Sequence, residues 1–177
     1  METAHRWHGI SSVRDALLLW RLYAAGVKDG TLRAFFYEGL PSRFHFVRMY
    51  LTACLRGTAW LYVALRREDG EPLCMALVNG FEGLGGFCHM NVFRAGLPLR
   101  RQLALEFLTS VCPGNGKGLE WLLGLTPAPY RHALAFAFES GFRFQARLPG
   151  ACFMKRRKSF ADGILTIYRP CFRPEED

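Results

Sequence analysis

The second half of the chain consists of short apolar runs separated by glycine and proline. Residues 119–125 form an apolar run of strand length, which precedes a turn at 126–129 and a helical segment at 130–140. Gly141 follows directly, and glycine readily takes the left-handed conformation that ends many helices. Two more strand-like runs follow, the last at 162–168. The pattern therefore predicts a strand, a helix and then two strands.

The first half shows helical spacing at its start. Ser11 or Ser12 is suited to cap a helix that runs to about residue 25. Apolar residues at helical spacing predict the apolar face of this helix; these residues are Val13, Ala16, Leu17, Trp20 and Ala24. A short second helix or turn is predicted at 29–37 and a third helix at 41–55.

Hairpins then replace helices. Residues 59–65 and 72–78 are predicted to be antiparallel strands around the polar turn 66–70, and 87–93 is predicted to be a further strand. A helix over 98–111 connects this strand to the one at 119–125. Such a helical crossover makes the two strands parallel neighbours, and we expect their C-terminal ends to diverge into a cleft.

Composition adds the class of protein. The 177 residues, of which 50% are apolar and 14% aromatic, predict one domain over 1–177, with helices in 1–57 and the core sheet in 58–169. No apolar run reaches the length of a membrane span and no signal peptide is recognised, so we expect no membrane association and a cytoplasmic location. The six cysteines lack metal-ligand spacing, so we expect reduced core thiols and no metal.

Positive charge is concentrated near the C-terminus. The formal net charge is +8, and residues 143–158 hold six basic side chains and no acidic one. Such a run is either a solvated hairpin tip or a site for phosphate or an acidic partner. Nucleic-acid binding is the less favoured reading, because only Phe153 and Phe160 lie near Lys155 and Lys158 as stacking aromatics.

The segment after residue 119 resembles the GNAT N-acyltransferase superfamily. The family pattern Asn-x-x-Ala-x-x-x-Tyr-x-x-x-Gly-Phe is matched by Ala133, Gly141 and Phe142, whereas Tyr130 replaces its asparagine and Ala137 its tyrosine. The resemblance implies a mixed α+β fold: a mostly antiparallel central sheet with one parallel pair and helices on both faces. It also implies acetyl-CoA, or another acyl-CoA, as cosubstrate and an amine-bearing acceptor as partner.

The same resemblance assigns the cofactor to the end of the first parallel strand and the start of the following helix. There the family uses Arg/Gln-x-x-Gly-x-Gly/Ala, whose backbone N–H groups bind pyrophosphate at the positive end of a helix. Arg94 and Gly96 match this motif in part, while Pro98 removes one donor. The predicted cofactor-binding residues are Asn91, Val92, Phe93, Arg94, Gly96, Leu97, Leu99, Arg100, Arg101 and Gln102. A plain basic helix start is the alternative.

His89 and Tyr130 are the candidates for proton transfer. His89 lies on the first parallel strand, and a histidine pKa near 6.5 suits a general base. Tyr130 begins the helix after the second parallel strand, where its hydroxyl can protonate a leaving thiolate. The alternatives are a histidine bonded to the backbone and an ordinary tyrosine near a helix cap.

The degenerate loop and the missing helix tyrosine also resemble a group of small phage and prophage GNAT-like proteins. The sequence therefore favours an acyl-CoA-dependent N-acyltransferase that transfers directly to an unidentified amine. A non-catalytic GNAT-like binding or assembly protein is the alternative.

Overall fold

The computed structural model describes residues 4–170, which form five α-helices and one seven-stranded sheet. The strands are β1 (His5–Gly9), β2 (Ala59–Arg66), β3 (Pro72–Glu82), β4 (Gly85–Val92), β5 (Trp121–Pro127), β6 (Arg143–Met154) and β7 (Ser159–Tyr168). The helices are α1 (Ala16–Lys28), α2 (Thr31–Phe35), α3 (Arg43–Leu55), α4 (Arg100–Val111) and α5 (Arg131–Glu139). Short 3₁₀ helices precede α1, at Val13–Asp15, and α4, at Arg94–Leu99.

The sheet has the order β1-β2-β3-β4-β5-β7-β6. All neighbouring strands are antiparallel except β4 and β5, which are parallel because α4 carries the chain back between them. The expected mixed sheet with one parallel pair is therefore confirmed.

Helices cover both faces of this sheet, as expected. One face packs against α1, α2 and α3, whose buried residues include Leu19, Leu32 and Phe46. The other face packs against α4 through Phe107 and Leu108. Alternate residues of β3 and β4 point into these two cores, because side chains alternate between the faces of a strand.

Two features of the N-terminal region differ from the sequence predictions. Residues 1–57 were expected to hold helices alone, but β1 lies there and pairs with the edge of β2. The predicted apolar face of α1 is also wrong, since Val13, Leu17 and Trp20 are exposed while Leu19 and Leu22 are buried. Apolar residues occupy several faces of this helix, so spacing alone does not identify the one that packs.

Polar contacts attach β1 to α4. The Glu106 carboxylate lies 2.6 Å from the His5 ring and accepts a hydrogen bond of 3.1 Å from the Trp7 indole. Gln102 donates to the other oxygen of Glu106. Within the described part of the chain β1 is an edge strand with a single neighbouring strand, and these side-chain bonds to α4 help to hold it at the edge of the sheet.

The cysteines, the potential metal ligands and the helices bear on the expectations from composition. Cys74, Cys88, Cys112 and Cys152 are buried free thiols and Cys54 is half-buried, while Cys171 lies outside the described residues. Within residues 4–170, no three histidine, cysteine or carboxylate side chains are grouped to hold a metal ion. None of the helices in this range has the length and apolar character needed to cross a bilayer.

Candidate functional site

The parallel pair opens into a cleft. β4 and β5 pair only from Gly85 to Phe87 and from Trp121 to Leu123, although both strands continue for several residues. Beyond that point the strands separate, and residues 88–90 face residues 124–127 across a gap. The predicted divergence of the C-terminal ends is thus observed.

Three cavities meet in this gap. The middle cavity is small, about 150 Å³, and lies between the separated strands. It shares Met90, Tyr130 and Phe136 with a cavity of about 840 Å³ beside α5. It shares Tyr37 and His89 with a cavity of about 580 Å³ beside α3. The cavities thus adjoin one another, with the small one between the two larger ones, and we refer to the three together as the passage.

His89 lies where the middle cavity meets the α3-side cavity. It stands opposite Leu77 on β3, so its ring points toward the α1–α3 face, and the Phe35 ring packs edge-on at 6.2 Å. Within residues 4–170 the His89 ring forms no hydrogen bond, and no unpartnered side-chain nitrogen is buried there, so its ring nitrogens reach the cavities. Desolvation by burial lowers the pKa of His89 below 6.5, which keeps the ring neutral at pH 7.

Two tyrosines in contact with each other line the middle cavity. Tyr130 precedes α5 and lines the middle cavity and the α5-side cavity. Its ring meets that of Tyr37 edge-on, with centroids 6.3 Å apart. Burial, together with the hydrogen bond to the Cys152 thiol, raises the pKa of Tyr37 far above its ordinary value, so this phenol remains protonated.

The gap leaves backbone groups of β4 without a partner strand. The N–H of Phe93 donates to Leu73 O on β3, at 3.0 Å. Because donor directions alternate along an antiparallel strand, the N–H groups of Met90 and Val92 point the opposite way, toward the gap. Phe93 itself is buried in the core on the α1–α3 face.

The predicted pyrophosphate loop forms the 3₁₀ helix Arg94–Leu99. Part of the backbone donor set at this loop is used within the protein: Arg94 N–H donates to Asp29 at 2.8 Å, Gly96 N–H to Phe93 O at 2.9 Å, and Arg100 N–H, at the start of α4, to Leu97 O. Gly96 packs against β3, where an added Cβ would lie 2.1 Å from Leu73 O. This glycine therefore allows close backbone packing.

The remaining predicted cofactor residues separate into two groups. Asn91, Val92, Leu97 and Arg100 line the α5-side cavity. Leu99, Arg101 and Gln102 line a different cavity on the outer side of α4. The Arg100 guanidinium lies 3.3 Å from the Glu139 carboxylate and so connects α4 to α5.

α5 faces the passage without burying any of its residues. Ala133 and Phe136 line both the middle and the α5-side cavities, and Arg131 and His132 lie at the larger one. A helix with an apolar face normally covers that face with a neighbouring element. Here the apolar face of α5 borders the cavities, so the wall that α5 gives to the cleft combines apolar and basic side chains.

Sequence reasoning missed several residues of this site. Tyr37 and Glu38 follow the short helix α2, and both line the α3-side cavity. Thr31 accepts a hydrogen bond from the Asn91 amide at 3.2 Å and lines the α5-side cavity. Only the packing of α2 against β4 brings them to the cleft, and no local motif marks them.

Comparisons with known proteins find similarity in structure and none in sequence. No family model matches the chain, and no curated protein does. A spermidine N-acetyltransferase from Vibrio cholerae, solved with CoA and spermine, superposes with a TM-score of 0.74 at 11% identity, over 95% of this chain and 96% of that one.

Two further solved structures are similar to this chain over a comparable length. RimL, a ribosomal L7/L12 α-N-protein acetyltransferase solved with CoA, gives a TM-score of 0.73 at 12% identity over 97% of each chain. A ribosomal-protein-S5-alanine acetyltransferase from Vibrio fischeri gives 0.70 at 10% identity over 98% of each chain. These likenesses extend over nearly the whole chain. The chain has the fold of the GNAT acetyltransferase superfamily.

Proposed function

We propose that the protein is an acyl-CoA-dependent N-acyltransferase that transfers an acetyl group directly to a primary amine in the cytoplasm. The observation that supports this most is the passage at the separated parallel strands. It joins one cavity suited to a cofactor and one suited to an acceptor, with His89 and Tyr130 at the junctions. The fold, shared with solved N-acetyltransferases, supports acyl transfer as the reaction class.

The α5-side cavity fits acyl-CoA. The apolar residues Ala133 and Phe136 would contact the pantetheine arm, and the open N–H group of Val92 is a donor for its polar atoms. Arg100 and Arg131 would supply positive charge for the phosphates. These side chains compensate for the loop Arg94–Leu99, where part of the backbone donor set is used internally.

Acetyl-CoA, when bound, supplies the thioester whose C–S bond breaks as the amide C–N bond forms. Met90 N–H lies on the open strand edge and donates to the thioester carbonyl oxygen, where negative charge develops. His89 is neutral at pH 7 and takes the proton from the acceptor amine. Tyr130, on the cofactor side, gives its proton to the departing CoA sulfur and recovers one from solvent.

A non-catalytic binding or assembly protein is the second candidate. It is favoured by the loop Arg94–Leu99, in which the N–H groups of Arg94, Gly96 and Arg100 already have partners in the protein. The closer resemblance to phage and prophage proteins stays a prediction.

Thiol release distinguishes these functions. Purified protein mixed with acetyl-CoA and a pool of primary amines should release free CoA faster than the same protein without amine. Mass spectrometry should find an acetylated amine in equal amount. A protein that releases no thiol with any amine and does not bind acetyl-CoA would contradict the proposal and support the non-catalytic alternative.

A further inference from the structure

The α3-side cavity, where the acceptor would enter, has an unusual lining. Its walls are mainly aromatic and aliphatic, and they come from α2 and the segment after it, from α3 and from strands β2 to β5. The aromatic side chains of the lining are Phe35, Phe36, Tyr37, Tyr50 and Phe87. Such a surface favours an apolar ligand and penalises a buried charge that has no partner.

Charged groups are scarce in the same lining. Glu38 is the one carboxylate among the described residues that border the cavity, and no lysine or arginine borders it. Glu38 is exposed, so it stands at the rim, whereas His89 lies at the inner end that opens to the middle cavity. One rim carboxylate suits one ammonium group.

The basic hairpin turn adds positive charge at the same rim. Lys155 N–H donates to Tyr37 O at 3.1 Å, and the Lys155 side chain packs on Gly39, where an added Cβ would lie 2.8 Å from its Cδ. Lys155 to Lys158 therefore lie beside the segment that carries Glu38. Their field opposes the approach of a molecule with several positive charges.

We infer that the acceptor is a primary monoamine with an apolar body. This inference rests on the proposed function. Its ammonium group meets Glu38 on entry and releases one proton to solvent, which leaves the neutral amine, and its body packs among the aromatic side chains. Its nitrogen passes a second proton to His89 as the amide bond forms. A polyamine would leave charges unpaired in this lining.

Competing acceptors test the inference. At saturating acetyl-CoA, kcat/KM for phenethylamine should exceed that for spermidine at least tenfold, with hexylamine closer to phenethylamine. A short peptide with an acidic N-terminal sequence is included, because the basic turn could instead favour an acidic protein. A higher kcat/KM for spermidine or for the peptide would overturn the inference.

A paired substitution identifies the cavity as the cause. Met49 borders this cavity, whereas Phe44, also exposed on α3, does not. Met49→Glu adds a second carboxylate and should move the phenethylamine-to-spermidine ratio about tenfold toward spermidine, while Phe44→Glu should leave it unchanged. The inference would be overturned if both variants shifted the ratio equally, or if neither variant shifted it.

Binding gives a readout that does not need turnover. Calorimetric titration of the CoA-saturated protein should show phenethylamine binding more tightly than spermidine. If no amine is acetylated, the proposed function fails, and the titration still decides the inference about the cavity. If amines are acetylated in the reverse order of preference, only the inference fails.

Discussion

At the scale of single residues, the environment of His89 decides its role. The ring lies on a strand whose outer edge is open, and within residues 4–170 no hydrogen bond holds it. A histidine kept for packing normally has its ring nitrogens hydrogen-bonded within the protein. The His89 nitrogens instead reach the passage, so the ring is available for proton transfer.

This role gives a prediction with a defined sign. Burial lowers the pKa of His89, and the proposed mechanism uses the neutral ring as the base. At saturating substrates, kcat should rise with pH through that lowered pKa, which lies below 6.5, and stay level above it. His89→Ala should lower kcat roughly 100-fold with little change in CoA affinity.

Matched controls accompany this measurement. His45 is exposed on α3 and borders none of the described cavities, so His45→Ala should keep wild-type kcat. A kcat that falls as pH rises from 5 to 7, or a normal kcat in His89→Ala, would remove His89 from the mechanism.

At the scale of elements, β1 shows how side chains hold an edge strand. Partial burial raises the pKa of the Glu106 carboxyl, but hydrogen bonds from His5, Gln102 and Trp7 outweigh it and hold that pKa below its ordinary value. The carboxylate is thus more stable in the folded chain than in the unfolded one, and it contributes to the free energy of unfolding at neutral pH.

Glu106→Gln should therefore lower the free energy of unfolding by about 1–2 kcal/mol at pH 7. The difference from wild type should be complete above pH 4.5 and shrink as the pH falls through the lowered pKa of Glu106. Denaturant titrations at several pH values measure it. Glu68→Gln, at an exposed position, should change little. A pH-independent difference would contradict the role assigned to the Glu106 charge.

Elements were predictable where local signals were strong. Glycine and proline breaks with apolar runs predicted β2 to β5 and α3 to α5 within a few residues, and the crossover rule predicted the parallel pair. β1 was missed because its pairing with β2 is a contact across more than 50 residues of sequence. The contribution of Tyr37 to the site depends on the packing of α2 and has no sequence signal.

At the scale of the whole molecule, the two halves of the sheet serve different sides of the cleft. The α1–α3 face borders the cavity proposed for the acceptor, and α4 and α5 flank the cavity proposed for the cofactor. The ion pair of Arg100 and Glu139 connects α4 to α5. Arg101, the next residue of α4, does not line the cavity proposed for the cofactor but lines the one on the outer side of α4. Substitution of Arg101 is therefore a matched control for substitution of Arg100.

Calorimetric titration with CoA tests the central claim, that the cleft beside α5 binds the acyl carrier. We predict one CoA per wild-type chain and about tenfold weaker binding in Arg100→Ala, equivalent to about 1.4 kcal/mol, because a charge-assisted phosphate contact is lost. Arg101→Ala should bind like wild type. Wild-type protein that gives no binding at millimolar CoA would contradict the account.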